Sequence, residues 1–402
     1  MSEATRQEGH ENNGKDGLKV DYEEAVLRRY GKAALKGERG LCVPVDYDRS
    51  LLEVIPQEII EKDYGCGNPS KYVREGETVL DLGSGSGKAC YIMAHTVGPK
   101  GKVIGVDFND EMLGLARKYR DAVANRLGYH NVEFRRGRIQ DLRLDLELVD
   151  RYLESHPVRS AAELYRLREF EEQISRQQPL IPDESMDVIV SNCVLNLVHP
   201  QDKRELFSEM YRVLRREGRV AISDIVSDES VPDHLKQDSE LWSGCVSGAF
   251  QEEEFLRAFE EAKFHGIHIE EMGSEPYRTV EGIEFRSITV TAYKGKEGPC
   301  IERNQAVIYR GPWKQVVDDD NHVLPRGARI AVCDKTYRLY SRPPYQGQFI
   351  LVPPGTEIPS EEAGGFDCSR ESRRHPRETK GVDYKVTEAS TNACGPGSSC
   401  CS

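Results

Sequence analysis

Three things this chain lacks narrow its class before any motif is read. It has no C-x-x-C pair, so its eleven cysteines do not form a zinc ribbon or a thioredoxin-like motif. No apolar stretch approaches the roughly 20 residues of a membrane span. It has no basic excess, since 55 Lys and Arg stand against 68 Asp and Glu, a formal charge of −13. That balance argues against a surface for nucleic acid or anionic membrane, because both need basic patches. The first 17 residues carry neither an apolar h-region nor an amphipathic Arg-rich pattern, so no targeting signal is read and a cytoplasmic protein is expected. In that compartment the cysteines should be thiols, used for soft-metal binding or redox chemistry.

What is present centres on Thr78 to Lys88, TVLDLGSGSGK. Val79, Leu80 and Leu82 form a short apolar run that leads into Gly83, Gly85 and Gly87 and then a helix-like segment. Such a turn needs backbone angles closed to side chains, and a ligand must approach bare N–H groups at the helix start. About 20 residues further on, the strand KVIGVD ends on Asp107, placed to accept hydrogen bonds from a ribose diol. A dinucleotide fingerprint would need a third glycine where Lys88 stands. The G-x-G-x-G pattern preceded by Asp81 instead resembles the first motif of the S-adenosylmethionine-dependent methyltransferases. The Asp81 carboxylate suits a ligand that carries an ammonium and a sulfonium.

The chain alternates strand and helix in the manner of a parallel sheet with crossover helices. Strands are expected at 78–82, 102–107, 132–136, 186–193 and 219–225, with further strands near 267–272 and 287–293 completing seven. Helices are expected near 89–97, 111–127 and 203–215. The fold class is α/β, a doubly wound, Rossmann-like methyltransferase core over 77–295. Residues 1–18 read as disordered, and 19–76 as a helical cap with helices over 20–36 and 50–62, placed to fold over the site. Residues 143–181 read as an inserted helical hairpin, 298–354 as a small β-rich domain with 328–341 as a strand, and 355–402 as a disordered, cysteine-containing tail.

Cys193 follows the fourth expected strand, at the lip of the crevice where such sheets bind ligands. Cys42 and Cys66 lie in the cap, Cys245 follows the fifth strand, and flanking glycines leave room for a ligand. Taken together, YGCG at Cys66, DLGSGSG at Asp81, VSNCVLNLV at Cys193 and LWSGCVSGA at Cys245 closely resemble the arsenite S-adenosylmethionine methyltransferases, over roughly residues 20–295. The resemblance implies methylation of trivalent arsenic, in arsenic detoxification, with Cys66, Cys193 and Cys245 as ligands and Cys42 assisting capture or redox steps. It implies S-adenosylmethionine as cofactor and a thiol reductant, glutathione or thioredoxin, as co-substrate.

The cofactor-site expectations are Asp81, Gly83, Gly85 and Gly87 for the methionine end and Asp107 for the ribose. Phe108, Met112, Ile139 and Gln140 are expected about the adenine, with Asn192 walling the methyl channel and Tyr64 closing over it. Two departures from the family are visible: the long 143–181 insertion, and Glu284 where some relatives carry another cysteine. Cys90, Cys300 and Cys333 are assigned no chemistry. The working expectation is a monomer acting on a small molecule, with neither nucleic acid nor membrane as partner. A methyltransferase for a small organic acceptor and a non-catalytic, thiol-rich metalloid-binding protein remain the alternatives.

Overall fold

The computed structural model describes residues 22–36, 47–62, 64–368 and 373–381. Cys42 and the last cysteines of the tail lie outside them. The chain divides into two compact units, one of residues 1–262 and 269–292, the other of 263–268 and 293–402.

The first unit opens with α1 (Tyr22–Lys36), α2 (Arg49–Leu52) and α3 (Gln57–Glu61). The single helix expected over 50–62 is two short ones, because Pro56 is the extended residue ahead of α3 and cannot donate into a continuous helix. The core follows in strict alternation: β1 (Thr78–Leu82), α4 (Lys88–Val97), β2 (Lys102–Asp107), α5 (Asp110–Leu127) and β3 (Val132–Arg136). After α6 (Leu146–Ser155) and α7 (Ala161–Gln177) come β4 (Met186–Asn192), α8 (Lys203–Val213) and β5 (Leu214–Ser227). The last sheet elements are β6 (Phe250–Gln251), β7 (His265–Met272), β8 (Arg278–Val280) and β9 (Ile283–Tyr293).

The strand order is β3-β2-β1-β4-β5-β9-β7, with β6 added on β5 and β8 on β9. The seven expected strands are therefore the main path, and two short strands extend it. β1 pairs in parallel with both β2 and β4, whose successor β5 is also parallel. The order reverses between β1 and β4, which opens a crevice at the carboxyl ends of these strands. Val79, Leu80, Leu82, Val188, Ile189 and Val190 are wholly buried, as strands covered by helices on both faces require.

The inserted segment is a helical hairpin. Asp145 accepts from the Glu147 and Leu148 N–H groups at the start of α6, and Ser160 from that of Glu163 at the start of α7. Tyr152 of α6 stacks on Phe170 of α7 with centroids 4.2 Å apart. Among the described residues no helix is long and apolar enough to cross a membrane.

In the second unit β10 (Ala306–Tyr309) lies between β13 (Arg329–Ala331) and β14 (Phe349–Val352), both antiparallel to it. β11 (Gln315–Val317) and β12 (Val323–Pro325) form a separate hairpin. The strand expected across 328–341 ends early, and Asp334–Tyr340 is a helix whose Thr336 N–H is accepted by the Cys333 sulfur. Order also continues past the expected boundary at 354. Helix Pro376–Lys380 is capped by His375, and Arg374, 1% exposed at its side chain, pairs with Glu302 at 2.7 Å and with Glu378 at 3.1 Å.

His265, also in this unit, is buried with Nδ1 unpartnered and its ring parallel to that of Tyr345. Burial, aided by Lys296 and opposed by Asp320, lowers its pKa to about 4. Between the ordinary value of 6.5 and about 4 the unfolded chain takes up the proton and the folded one does not. Stability is thus lost as pH falls through that window, by about 2–4 kcal/mol. Urea unfolding of His265→Phe at pH 7 and pH 4.5 should show most of this acid sensitivity gone; an undiminished pH dependence would refute the assignment.

Candidate active site

The glycine loop is shaped by its backbone. Gly83, Gly85 and Gly87 have φ of 72°, 50° and 85°, angles that side chains resist. Asp107, at the end of β2, fastens the loop: its Oδ2 accepts from Gly85 N at 2.8 Å and its Oδ1 from Asn109 N at 2.9 Å. Burial raises the Asp107 pKa, and those N–H groups oppose the shift.

Above the loop is an open cleft of about 1090 Å³ counted out to solvent. Asp81, Gly83, Gly85, Asp107, Phe108, Met112, Ile139, Gln140, Asn192, Tyr64 and Cys193 all line it. Of the expected cofactor residues only Gly87 stands off the cleft, because it is packed against Phe134, whose ring leaves no space for a Cβ. The cap does cover the site, since Val26 and Tyr30 of α1 join the lining. Ser84 and Ser86 belong to the cleft lining, and their buried hydroxyls have no hydrogen-bond partner, as expected near a polar ligand. The Lys88 ammonium turns away to the Tyr47 ring, 4.1 Å from its centroid.

Three distant cysteines converge beside this cleft. Cys66 and Cys193 are joined as a disulfide with Cα atoms 5.8 Å apart, which corrects the expectation that both would be thiols. The Cys245 thiol donates to the Cys193 carbonyl at 3.0 Å and lies 3.8 Å from the Tyr30 hydroxyl. All three are buried in one apolar cluster with Ile225, Leu241 and Phe285. Cys193 and Cys245 both hold left-handed backbone angles, φ 61° and 60°. Such strain costs of order 1 kcal/mol or more per residue and gathers at functional sites.

Asn192 does more than wall a channel. Its Oδ1 accepts from Cys66 N at 2.9 Å and Gly67 N at 3.2 Å, and its Nδ2 donates to Gly67 O at 2.8 Å. The cap loop is thereby bound to the end of β4. Glycine is required on either side of Cys66, since a Cβ at Gly65 would overlap Asn192 and one at Gly67 would stand 2.5 Å from Ser223 Oγ. Asn192→Ala removes three bonds worth about 0.5–1.5 kcal/mol each. After reduction, reclosure of the Cys66–Cys193 disulfide in a glutathione redox buffer should therefore be at least about tenfold less favourable. Unchanged reclosure would show that the loop is held by something else.

Two residues were missed in the sequence. Cys90 donates to Asp81 Oδ2 at 3.1 Å, and complete burial together with Asp81 pushes its thiol pKa up, so it stays protonated. Asp224 is fully buried at the end of β5, accepting from Leu195 N, Asn196 Nδ2 and Ile225 N, each at 2.8 Å. One of its oxygens and the Cys66 and Cys193 sulfurs lie within 4.8 Å of one another. Burial raises its pKa to about 6, against its hydrogen bonds and the charge of Lys203. The available signal was an acid inside the apolar run AISDIV, where an unsupported carboxylate is costly.

A glycine-loop cleft at the switch point of this sheet, with Asp107 and Cys193 in its lining, fits the class of Rossmann-like methyltransferases. In agreement, a family model described as "Methyltransferase domain" matches residues 73–153 and 159–263, and a "Domain of unknown function (DUF8838)" matches 296–384. An arsenite methyltransferase from Aquipseudomonas alcaligenes is 33% identical over 352 residues, 82% of this chain and 90% of that protein. The arsenite methyltransferase of Homo sapiens is 27% identical over 94% of this chain and 96% of its own. The crystal structure of an arsenic(III) S-adenosylmethionine methyltransferase from Chlamydomonas reinhardtii superimposes with a TM-score of 0.51 at 27% identity, covering 81% of this chain and all of that one. The chain belongs to the arsenite methyltransferase family.

Proposed function

We propose that this enzyme methylates trivalent arsenic, transferring a methyl group from S-adenosylmethionine to arsenic held by Cys66, Cys193 and Cys245. The observation that carries the reading is the convergence of three cysteines from three segments on Cys193, which lines the glycine-loop cleft. The cleft residues fit the cofactor: Asp81 and Asp107 offer carboxylates to an ammonium and a ribose, and Ser84 and Ser86 have hydroxyls to spare. When bound, that cofactor supplies an electrophilic methyl on a sulfonium.

Arsenite, a soft and thiophilic substrate, condenses with three cysteine thiols and releases three waters. The arsenic lone pair then occupies the fourth direction of a pyramid. Arsenic carries no proton, so no general base is needed, and the protein's work is alignment, worth effective molarities of roughly 10⁵–10⁸ M at best. Accepting a methyl cation through its lone pair takes arsenic from the trivalent to the pentavalent state. Return to the trivalent state needs two electrons, which two neighbouring cysteine thiolates supply by closing a disulfide. A Cys66–Cys193 disulfide is the product such an exchange would leave, and a thiol reductant of the glutathione or thioredoxin type would reopen it for the next turnover.

Arsenic speciation in a reaction of purified chain, S-adenosylmethionine, arsenite and a reducing thiol tests this directly. Mono- and then dimethylated arsenicals should accumulate in step with S-adenosylhomocysteine, consistent with a role in arsenic detoxification. Turnover of an organic acceptor without arsenic would favour the first alternative, and arsenic binding without S-adenosylhomocysteine the second.

A further inference from the structure

The second unit contains a pair of cysteines that the catalytic reading does not use. Cys300 and Cys333 are both free thiols, within hydrogen-bonding reach of each other. They come from separate segments that are tied together. Asp334 N donates to Ile301 O at 3.0 Å, joining the residue after one cysteine to the residue after the other. Phe366 N donates to Cys300 O at 2.8 Å, and the Cys333 sulfur accepts from Thr336 N at 3.5 Å. The pair is thus held on both sides. Cys333 is 3% exposed while Cys300 is half-buried, so a small solute reaches the pair through Cys300. Burial, with Cys300 adding to it and Thr336 opposing, raises the Cys333 thiol pKa.

We propose that Cys300 and Cys333 form a dithiol site for a monosubstituted trivalent arsenical, chelated through both sulfurs and distinct from the three-thiol centre. The stoichiometry selects the ligand class. R–As(OH)₂ and two Cys–SH give R–As(S–Cys)₂ and two H₂O. Two As–O bonds are replaced by two As–S bonds, arsenic stays trivalent, and no oxidant or reductant enters. Two thiols satisfy two valences, so the third belongs to a carbon substituent. In this protein the natural ligand would be the product of the first methylation, a point that rests on the catalytic reading; the binding itself does not.

Phenylarsine oxide, with one carbon substituent and two exchangeable positions, is the probe. The reduced full-length chain is treated with it, then with iodoacetamide, and labelling is mapped by peptide mass spectrometry. Cys300 labelling should fall about tenfold with the probe in excess of its Kd and recover when a small competing dithiol is added. Peptides carrying Cys300 and Cys333 should also be found joined through one phenylarsenic. Cys333→Ser, with Cys333→Ala as a second variant should serine disturb folding, should restore full Cys300 labelling in the presence of the probe. Unprotected Cys300 in the wild-type chain, or protection that survives both Cys333 substitutions, overturns the proposal. S-adenosylhomocysteine formation from arsenite, measured separately, distinguishes failure of the catalytic reading from failure of this one.

Discussion

Replacing Cys193 with serine should lower arsenic-dependent S-adenosylhomocysteine formation by about a thousandfold or more, with arsenite and with methylarsonous acid alike. Cys193 lines the cleft, shares a disulfide with Cys66, and presents its carbonyl to the Cys245 thiol. A serine oxygen is a hard donor and a poor thiolate substitute, so arsenic would lose the sulfur nearest the cofactor cleft along with its alignment. Three powers of ten correspond to about 4 kcal/mol, within what misplacement of reacting groups costs. Cofactor affinity, measured by calorimetry without arsenic, should change little.

Cys245→Ser should behave in the same way. Cys66→Ser should lose the first methylation and retain part of the second, because a methylated arsenical needs only two thiolates. Equal loss of both steps in all three variants would contradict that division, and normal turnover by Cys193→Ser would remove the mechanism.

Gly83→Ala should produce the second large effect, on the cofactor and the thiols together. A Cβ there would stand 2.5 Å from both methyl groups of Val194, with the backbone at φ 72°. Overpacking of about 1–3 kcal/mol adds to about 1–2 kcal/mol for the left-handed backbone. The protein relieves this by moving Val194, which follows Cys193, or by pulling the loop from Asp107. Cofactor affinity should fall at least tenfold, and kcat should fall as well. Gly85→Ala is the control: nothing lies within 4 Å of its Cβ, so it keeps the strain of φ 50° without the clash. Equal effects of the two substitutions would mean that strain alone matters and that the loop and the Cys193 turn are not coupled through Val194.

Much of this was legible in the chain itself. The runs that became β1 and β2 are largely apolar, β3 alternates apolar with charged residues, and all three are short and bounded by turn residues, so local chemistry suffices to delimit them. That Asp81, Gly83, Gly85 and Asp107 share one cleft could be foreseen because a strand, a glycine turn and a following strand position them within some 30 residues of one another. The errors came where a local preference met a distant partner or a single breaking residue. Pro56 divided a helix, and the segment after Cys333 became helical although its Tyr and Leu content suits a strand. The family resemblance placed Cys66, Cys193 and Cys245 in one site without giving their geometry.

Residues 127 apart in sequence meet at a Cα separation of 5.8 Å where Asn192 binds the cap loop to the end of β4. Such a bond has no signature in a single chain. The same holds for Cys90 beside Asp81, for Asp224 beside the sulfurs, and for Cys300 beside Cys333. The amino-acid sequence by itself determined the α/β class, the glycine loop and its acidic partners, since these depend on backbone freedom and hydrophobic pattern within short segments. Only the tertiary structure decided which thiols touch, which acid is buried and which hydroxyls are left unpaired, because those depend on through-space distances that chain separation does not encode.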